Sequence, residues 1–201
     1  MFAQSRCEIA TGFCVLLTSN HLMRLAGGAR FAHTAATLAI CACAQPSKPF
    51  LTLHDVPSDG NCLFSSVALS AALVDGDATQ ARARAVRNAA ARLRSDTMDL
   101  LCPTGTPDPE LALGGLPVTL LIEPAAGENE AGYCRRMRQP GQWGSTTEIL
   151  ALTKLLGRPV TVHTEFGAPE TYGADEPGAG LAIHFEANHY RAVTVSRKDE
   201  L

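Results

Sequence analysis

The 201-residue chain is 46% hydrophobic and 18% charged, the balance of a folded globular protein rather than a disordered one. Its length suits one domain with a sizeable core. A formal net charge of −3 and 5% aromatic residues supply neither a basic field nor a stacking platform, so neither nucleic acid nor an anionic membrane is an expected partner.

Residues 1–49 read as an extension set apart from the body. They hold one acidic residue, Glu8, and two short apolar runs, Ile9 to Thr18 and Ala35 to Ala44. Neither run is long enough for a stable membrane-spanning helix. The second ends in Ala42-Cys43-Ala44, the small-residue pattern of a signal peptide, and Arg24 and Arg30 would flank it if translation began at Met23. Counted from Met1, the segment looks more like a transit peptide, and an unstructured extension accounts for it equally well. The tail, residues 197–201, ends in Lys198-Asp199-Glu200-Leu201, which matches the endoplasmic-reticulum retention signal. Localisation stays open between cytoplasm and secretory lumen.

Seven cysteines are present, four of them before residue 45. Cys62, Cys102 and Cys134 in the body are widely spaced, and with an odd total no disulfide framework is expected. Cys41-Ala-Cys43 has no further ligands near it, so no metal site and no cofactor are expected.

The body, residues 50–196, begins with Phe50-Leu51-Thr52-Leu53, a short strand or extended lead-in. Val56-Pro57-Ser58-Asp59-Gly60-Asn61 is turn chemistry. From Cys62 a helix is predicted to about Leu73, with Leu63, Val67 and Val74 on its apolar stripe. Asn61 stands at the N-cap, which makes Cys62 the first helical residue. A thiol there meets unpaired backbone N–H groups and the positive end of the macrodipole, both of which favour thiolate. The turn also aims N–H groups at a place where an oxyanion could sit. An ordinary buried cysteine beside a turn is the competing reading.

Asp75-Gly76-Asp77 breaks that helix, and Thr79 is expected to cap a second one to about Arg94, with Val86, Ala90 and Leu93 on one side. Its five arginines, Arg82, Arg84, Arg87, Arg92 and Arg94, read as a solvated surface. Residues 102–127 are rich in Pro and Gly and form an irregular insertion with a short strand between Leu116 and Ile122. Glu128 to Arg138 is a candidate helix that brings Tyr133 and Met137 together. Ser145 and Glu148 make a capping box for a helix that turns Ile149, Leu152 and Leu156 inward and stops at Gly157. Val160 to His163 is a strand, 165–179 a loop, and Leu181–Phe185 and Tyr190–Val195 two strands of a hairpin around Glu186-Ala187-Asn188-His189.

A cysteine nucleophile needs a base within hydrogen-bond reach. His189, at the mouth of the last hairpin, is the best placed. His54, His163 and His184 compete; alternation sets His184 opposite Ile183 and Phe185 as an ordinary surface or satisfied histidine.

Three blocks, Asp59-Gly60-Asn61-Cys62-Leu63-Phe64, Trp143-Gly144 followed by Glu148, and Asn188-His189-Tyr190, resemble the signatures of the ovarian tumour (OTU) family of cysteine proteases, mostly deubiquitinases. The resemblance covers about residues 50–196. It implies a papain-like α+β fold, with a central, mostly antiparallel sheet flanked by helices. It also implies Cys62 as nucleophile, His189 as general base, and Asp59 as the residue ordering an oxyanion loop whose donors are N–H groups of the 59–62 turn, Gly60 and Asn61 included. Asn188, Trp143 and Glu148 would be supporting residues, with Trp143 burying a large surface at the start of its helix and Glu148 capping. The implied reaction is hydrolysis of the bond between the ubiquitin C-terminus and a lysine amine through a thioester, with ubiquitin or polyubiquitin conjugates as partners. Acidic residues on the insertion, Asp108, Glu110, Glu128 or Glu130, could receive the basic tail of ubiquitin.

One departure matters. Many members carry Asp or Asn two residues after the histidine to orient the imidazole; here that position is Arg191, which cannot accept a ring N–H. Another acceptor such as Asn188 does the work, or the enzyme is slow, or the domain binds ubiquitin without cleaving it. A papain-like hydrolase of a different substrate is a further alternative.

Overall fold

The computed structural model describes residues 50–196; the extension, with its apolar runs and Cys41-Ala-Cys43, and the Lys-Asp-Glu-Leu tail lie outside them. The chain order is β1 (Phe50–His54), α1 (Cys62–Val74), α2 (Ala83–Leu101), β2 (Ala112–Leu113), β3 (Leu116–Pro117), α3 (Val118–Leu121), α4 (Glu130–Met137), α5 (Thr146–Leu156), β4 (Val160–Thr164), β5 (Glu170–Tyr172), β6 (Leu181–Glu186) and β7 (His189–Ser196). A five-stranded sheet runs in the order β1-β7-β6-β4-β5. All its pairings are antiparallel except β4 with β6. Among the described residues no helix is long and apolar enough to cross a membrane.

The apolar pattern explains the layering. α1 lies against β6 and β7 and also meets α2. Leu63, Phe64 and Val67 of α1 join Val160 and Val162 of β4 and Leu181 and Ile183 of β6 in one core. A second core gathers Met98 and Leu101 of α2 with Leu113, Val118, Ile122 and the α4 residues Tyr133 and Met137. α5 bridges the two, with Ile149 and Leu152 in the first and Ala151 in the second.

Several expectations shift. α2 starts at Ala83, because the Asp77 carboxylate holds the Thr79 and Gln80 N–H groups in an Asx turn at 2.9 and 3.1 Å instead of letting a helix begin there. It then continues to Leu101, where α2 buries Thr97 and Met98. The expected strand from Leu116 is a two-residue ribbon that turns into α3, since Pro117 ends the pairing. Within the 165–179 loop, β5 pairs with β4. Val74 is exposed and lies off the apolar stripe.

The cysteine expectation is corrected. Cys102, the C-cap of α2, is bonded to Cys134 of α4 across a sequence separation of 32. Both are fully buried in the second core. Cys62 is the free thiol among the described residues.

Candidate active site

Cys62 is the first residue of α1, 4% exposed, with Asn61 at the N-cap. Asn61 does not cap with its side chain. Its N–H donates to the Asp59 carboxylate at 3.0 Å, which closes the turn. Gly60 makes that turn with φ +76°, and a Cβ there would stand 2.0 Å from the Gly141 carbonyl oxygen. Only glycine fits, for its conformation and for its space.

The Asn61 side chain is used elsewhere. Its Oδ1 accepts from Arg94 Nε at 3.0 Å and Nη2 at 2.9 Å. Arg94 is 3% exposed, which overturns its reading as one of five solvated arginines; Arg82, Arg84, Arg87 and Arg92 are exposed. Helical spacing explains the exception: Arg94 follows Ala90 by four residues on the buried stripe. Its guanidinium also donates to the carbonyls of Gly60 at 2.9 Å, Met137 at 3.0 Å and Gln142 at 2.5 Å, and it stacks 4.4 Å above the Phe64 ring. Burial lowers its affinity for the proton, and the nearby Glu148, Asp59 and Cys62 act the other way.

His189 opens β7, and its neighbour Tyr190 lies in the same core as Cys62. The first residues of β7 thus pack near the start of α1 through Tyr190. Burial, reinforced by the neighbouring Cys62, pushes the Tyr190 phenol up to about 12, so it stays neutral beside the sulfur. The turn Ala187-Asn188 has φ of 48° and 61°, the left-handed pair of a tight hairpin. Asn188 is exposed at that turn. His189 Nδ1 is buried with no hydrogen-bond partner. Arg191 shares the face of His189 by strand alternation but turns to Glu186, with Asp55 at 4.0 Å. Arg191 Nε is also unpaired. Neither Arg191 nor Asn188 orients the ring.

The other histidines lie on β1, β4 and β6. His54 Nε2 meets Thr194 Oγ1 at 3.1 Å. His163 and His184 are cross-strand partners. Both are buried, and His184 Nδ1 has no partner, so His184 is neither on the surface nor satisfied.

The model of the OTU-like cysteine protease family matches residues 57–192, well over half of the chain. The chain belongs to the OTU family. Its fold is the α+β, papain-like OTU fold. Among solved structures it is similar to an ovarian tumour domain in complex with ubiquitin, at 18% identity and TM-score 0.51, covering 74% of this chain and 72% of that one. It is also similar to the OTU domain protease of Taggert virus, at 19% identity and TM-score 0.49, covering 73% and 85%. No curated protein matches the chain in sequence.

Within this OTU domain the second block splits from its expected form. Glu148, 1% exposed, completes the capping box and takes the Ser145 N–H at 2.7 Å. Its second oxygen accepts the Tyr133 hydroxyl. Burial, with the Glu148 charge, pushes the Tyr133 phenol far up. Trp143, by contrast, is 55% exposed and buries no large surface. The close packing there belongs to Gly144, where a Cβ would stand 2.5 Å from Leu63 Cδ2; the helix start and α1 meet through glycine, and the indole is pushed outward. Since the Asn61 N–H is held by Asp59, the backbone donors of Gly60 and Cys62 are those left for an incoming oxygen. Of the four acidic candidates on the insertion, Glu128 is engaged by Arg136 at 3.0 Å and by the Ala125 N–H at 2.9 Å. Asp108 holds the Glu110 N–H at 2.9 Å. Glu130 stays exposed in the first turn of α4.

Sequence reasoning missed Arg94. The signal was available in its spacing from Val86 and Ala90, but a run of five arginines on one helix reads first as a solvated face.

Proposed function

We propose that this OTU domain is a cysteine-type deubiquitinase that hydrolyses peptide or isopeptide bonds at the C-terminus of ubiquitin. The observation that carries the reading is the position of Cys62, the first residue of α1 on a loop braced by Asp59 and Arg94, near the strand that His189 opens. Cys62 thiolate attacks the carbonyl carbon of the ubiquitin C-terminal glycine. The negative oxygen that forms is met by backbone N–H groups of the 60–62 turn. His189 gives its proton to the departing lysine amine, and a thioester remains. Water, relieved of a proton by His189, then attacks the thioester and releases the ubiquitin carboxylate and the free thiol. All of this uses the chain's own side chains; no cofactor enters.

The test is hydrolysis of di-ubiquitin and of a fluorogenic ubiquitin C-terminal amide by the wild type and by Cys62→Ala. Activity in the first and none in the second is expected. Activity that survives Cys62→Ala would remove Cys62 as nucleophile.

A second reading has its own support. His189 Nδ1 lacks an acceptor and Arg191 is committed to Glu186, the arrangement expected of a weak catalyst or a module that binds ubiquitin without cleaving it. That reading predicts measurable ubiquitin binding, no turnover, and no gain from Arg191→Asn.

A further inference from the structure

We propose that Arg94 is a positioning residue for the nucleophile, a single buried guanidinium that fixes the turn from which Cys62 projects. The inference rests on Cys62 being the nucleophile.

Arg94 joins three segments that no strand ladder connects. Its acceptors are Gly60 and Asn61 on the nucleophile loop, the Met137 carbonyl at the end of α4, and the Gln142 carbonyl just before Trp143-Gly144. Gly60 and Gly141 are already in backbone contact, so the guanidinium bolts together two loops that touch. Every one of its hydrogen bonds goes to a neutral oxygen, and among the described residues no carboxylate lies within ion-pair distance of it. A buried cation without a paired anion is expensive. If stability alone were at stake, an apolar side chain over Phe64 would serve as well. What the guanidinium adds is a rigid fork: two of its N–H groups hold one oxygen of Asn61, the residue next to Cys62, in a geometry that a lysine cannot reproduce. Glu148 and Asp59 lie near its charge, and Cys62 feels it as well.

The experiment is steady-state turnover of the fluorogenic ubiquitin amide by the full chain, with kcat and KM resolved separately. Arg94→Ala is expected to lower kcat by about 10²–10³-fold, the scale of a lost oxyanion donor, with KM within a few-fold. Guanidinium ion at sub-denaturing concentration is expected to restore at least tenfold of that loss, and Arg94→Lys to restore little. Arg92→Ala, on the exposed face of the same helix, should match the wild type. Asn61→Ser, on the half-exposed loop, removes the forked contact without emptying the core and is expected to lose kcat in the same direction if Arg94→Ala does not fold. Iodoacetamide modification of Cys62, followed by peptide mass spectrometry, is the readout that needs no ubiquitin. A tenfold or larger change of its rate in Arg94→Ala is expected even if ubiquitin proves not to be the substrate. Wild-type kcat and Cys62 alkylation in the folded Arg94 and Asn61 variants, or an Arg94→Ala loss that guanidinium does not reverse, would overturn the proposal.

Discussion

The two halves of the candidate site are built to different standards. On the cysteine side the 59–61 turn is tied down at several points: Asp59 takes the Asn61 N–H, and Arg94 takes the Gly60 carbonyl and the Asn61 side chain. On the histidine side, a two-residue hairpin with both residues at positive φ presents His189, whose Nδ1 has no partner. The arginine two residues on is turned away to Glu186. A nucleophile at a helix start depends on its backbone and must be held rigidly; a base need only reach it in the bound state, when catalytic hydrogen bonds tighten. Under the proposed mechanism, the contrast accounts for a base whose Nδ1 has no partner in the free protein.

The largest effect that bears on the contrast is loss of the base. His189→Ala is expected to lower kcat on the ubiquitin amide by about 10³–10⁴-fold. A loss under tenfold would mean that the histidine half is not catalytic.

Next comes the anchor of the rigid half. The Cys102–Cys134 bond ties α2, which carries Arg94, to α4, which supplies the Met137 carbonyl. Closing a loop of this length constrains the unfolded chain by roughly 3–4 kcal/mol. Replacing both cysteines by alanine should lower the urea stability by about that amount, and an unchanged urea midpoint would show the bond to be idle.

Arg191→Asn probes the loose half. It places a ring acceptor two residues after His189, so kcat is expected to rise by up to about tenfold, the scale of one hydrogen bond to a charged group. An unchanged or lower kcat would favour Arg191 as a structural partner of Glu186 alone.

The smallest effect concerns pH. Burial, and then the neighbouring His184, hold the proton affinity of His163 below its ordinary value of 6.5. The unfolded chain therefore binds the proton more readily, and stability rises with pH. This contribution is fully present above about pH 6.5 and is lost as pH falls toward the depressed folded value. Comparing urea midpoints at pH 7.5 and 5.5 for wild type and His163→Gln checks it; identical pH slopes would contradict it.

What could be read without coordinates follows the same divide. The start of α1 at Cys62, the Ser145–Glu148 capping box and the hairpin at His189 are local chemistry, set by residues three or four apart, and each is found in the fold. Arg94 meets acceptors 33 to 48 residues away, and Cys102 meets Cys134 only because α2 and α4 pack in one core. Helical spacing marks Arg94 as buried, but neither its acceptors nor the pairing of the cysteines leaves a periodic trace. β5 is three residues in a Gly/Pro-rich loop, too short to announce itself. Trp143 shows the limit from the other side: a large aromatic residue is usually a core residue, yet here Gly144 takes the tight position and the indole stays outside.

The most direct measurement is treatment of the full chain with ubiquitin bearing a C-terminal electrophile, followed by mapping of the adduct. The account predicts one covalent ubiquitin on Cys62, lost in Cys62→Ala and strongly slowed in His189→Ala. No adduct, or an adduct on another cysteine, would contradict it.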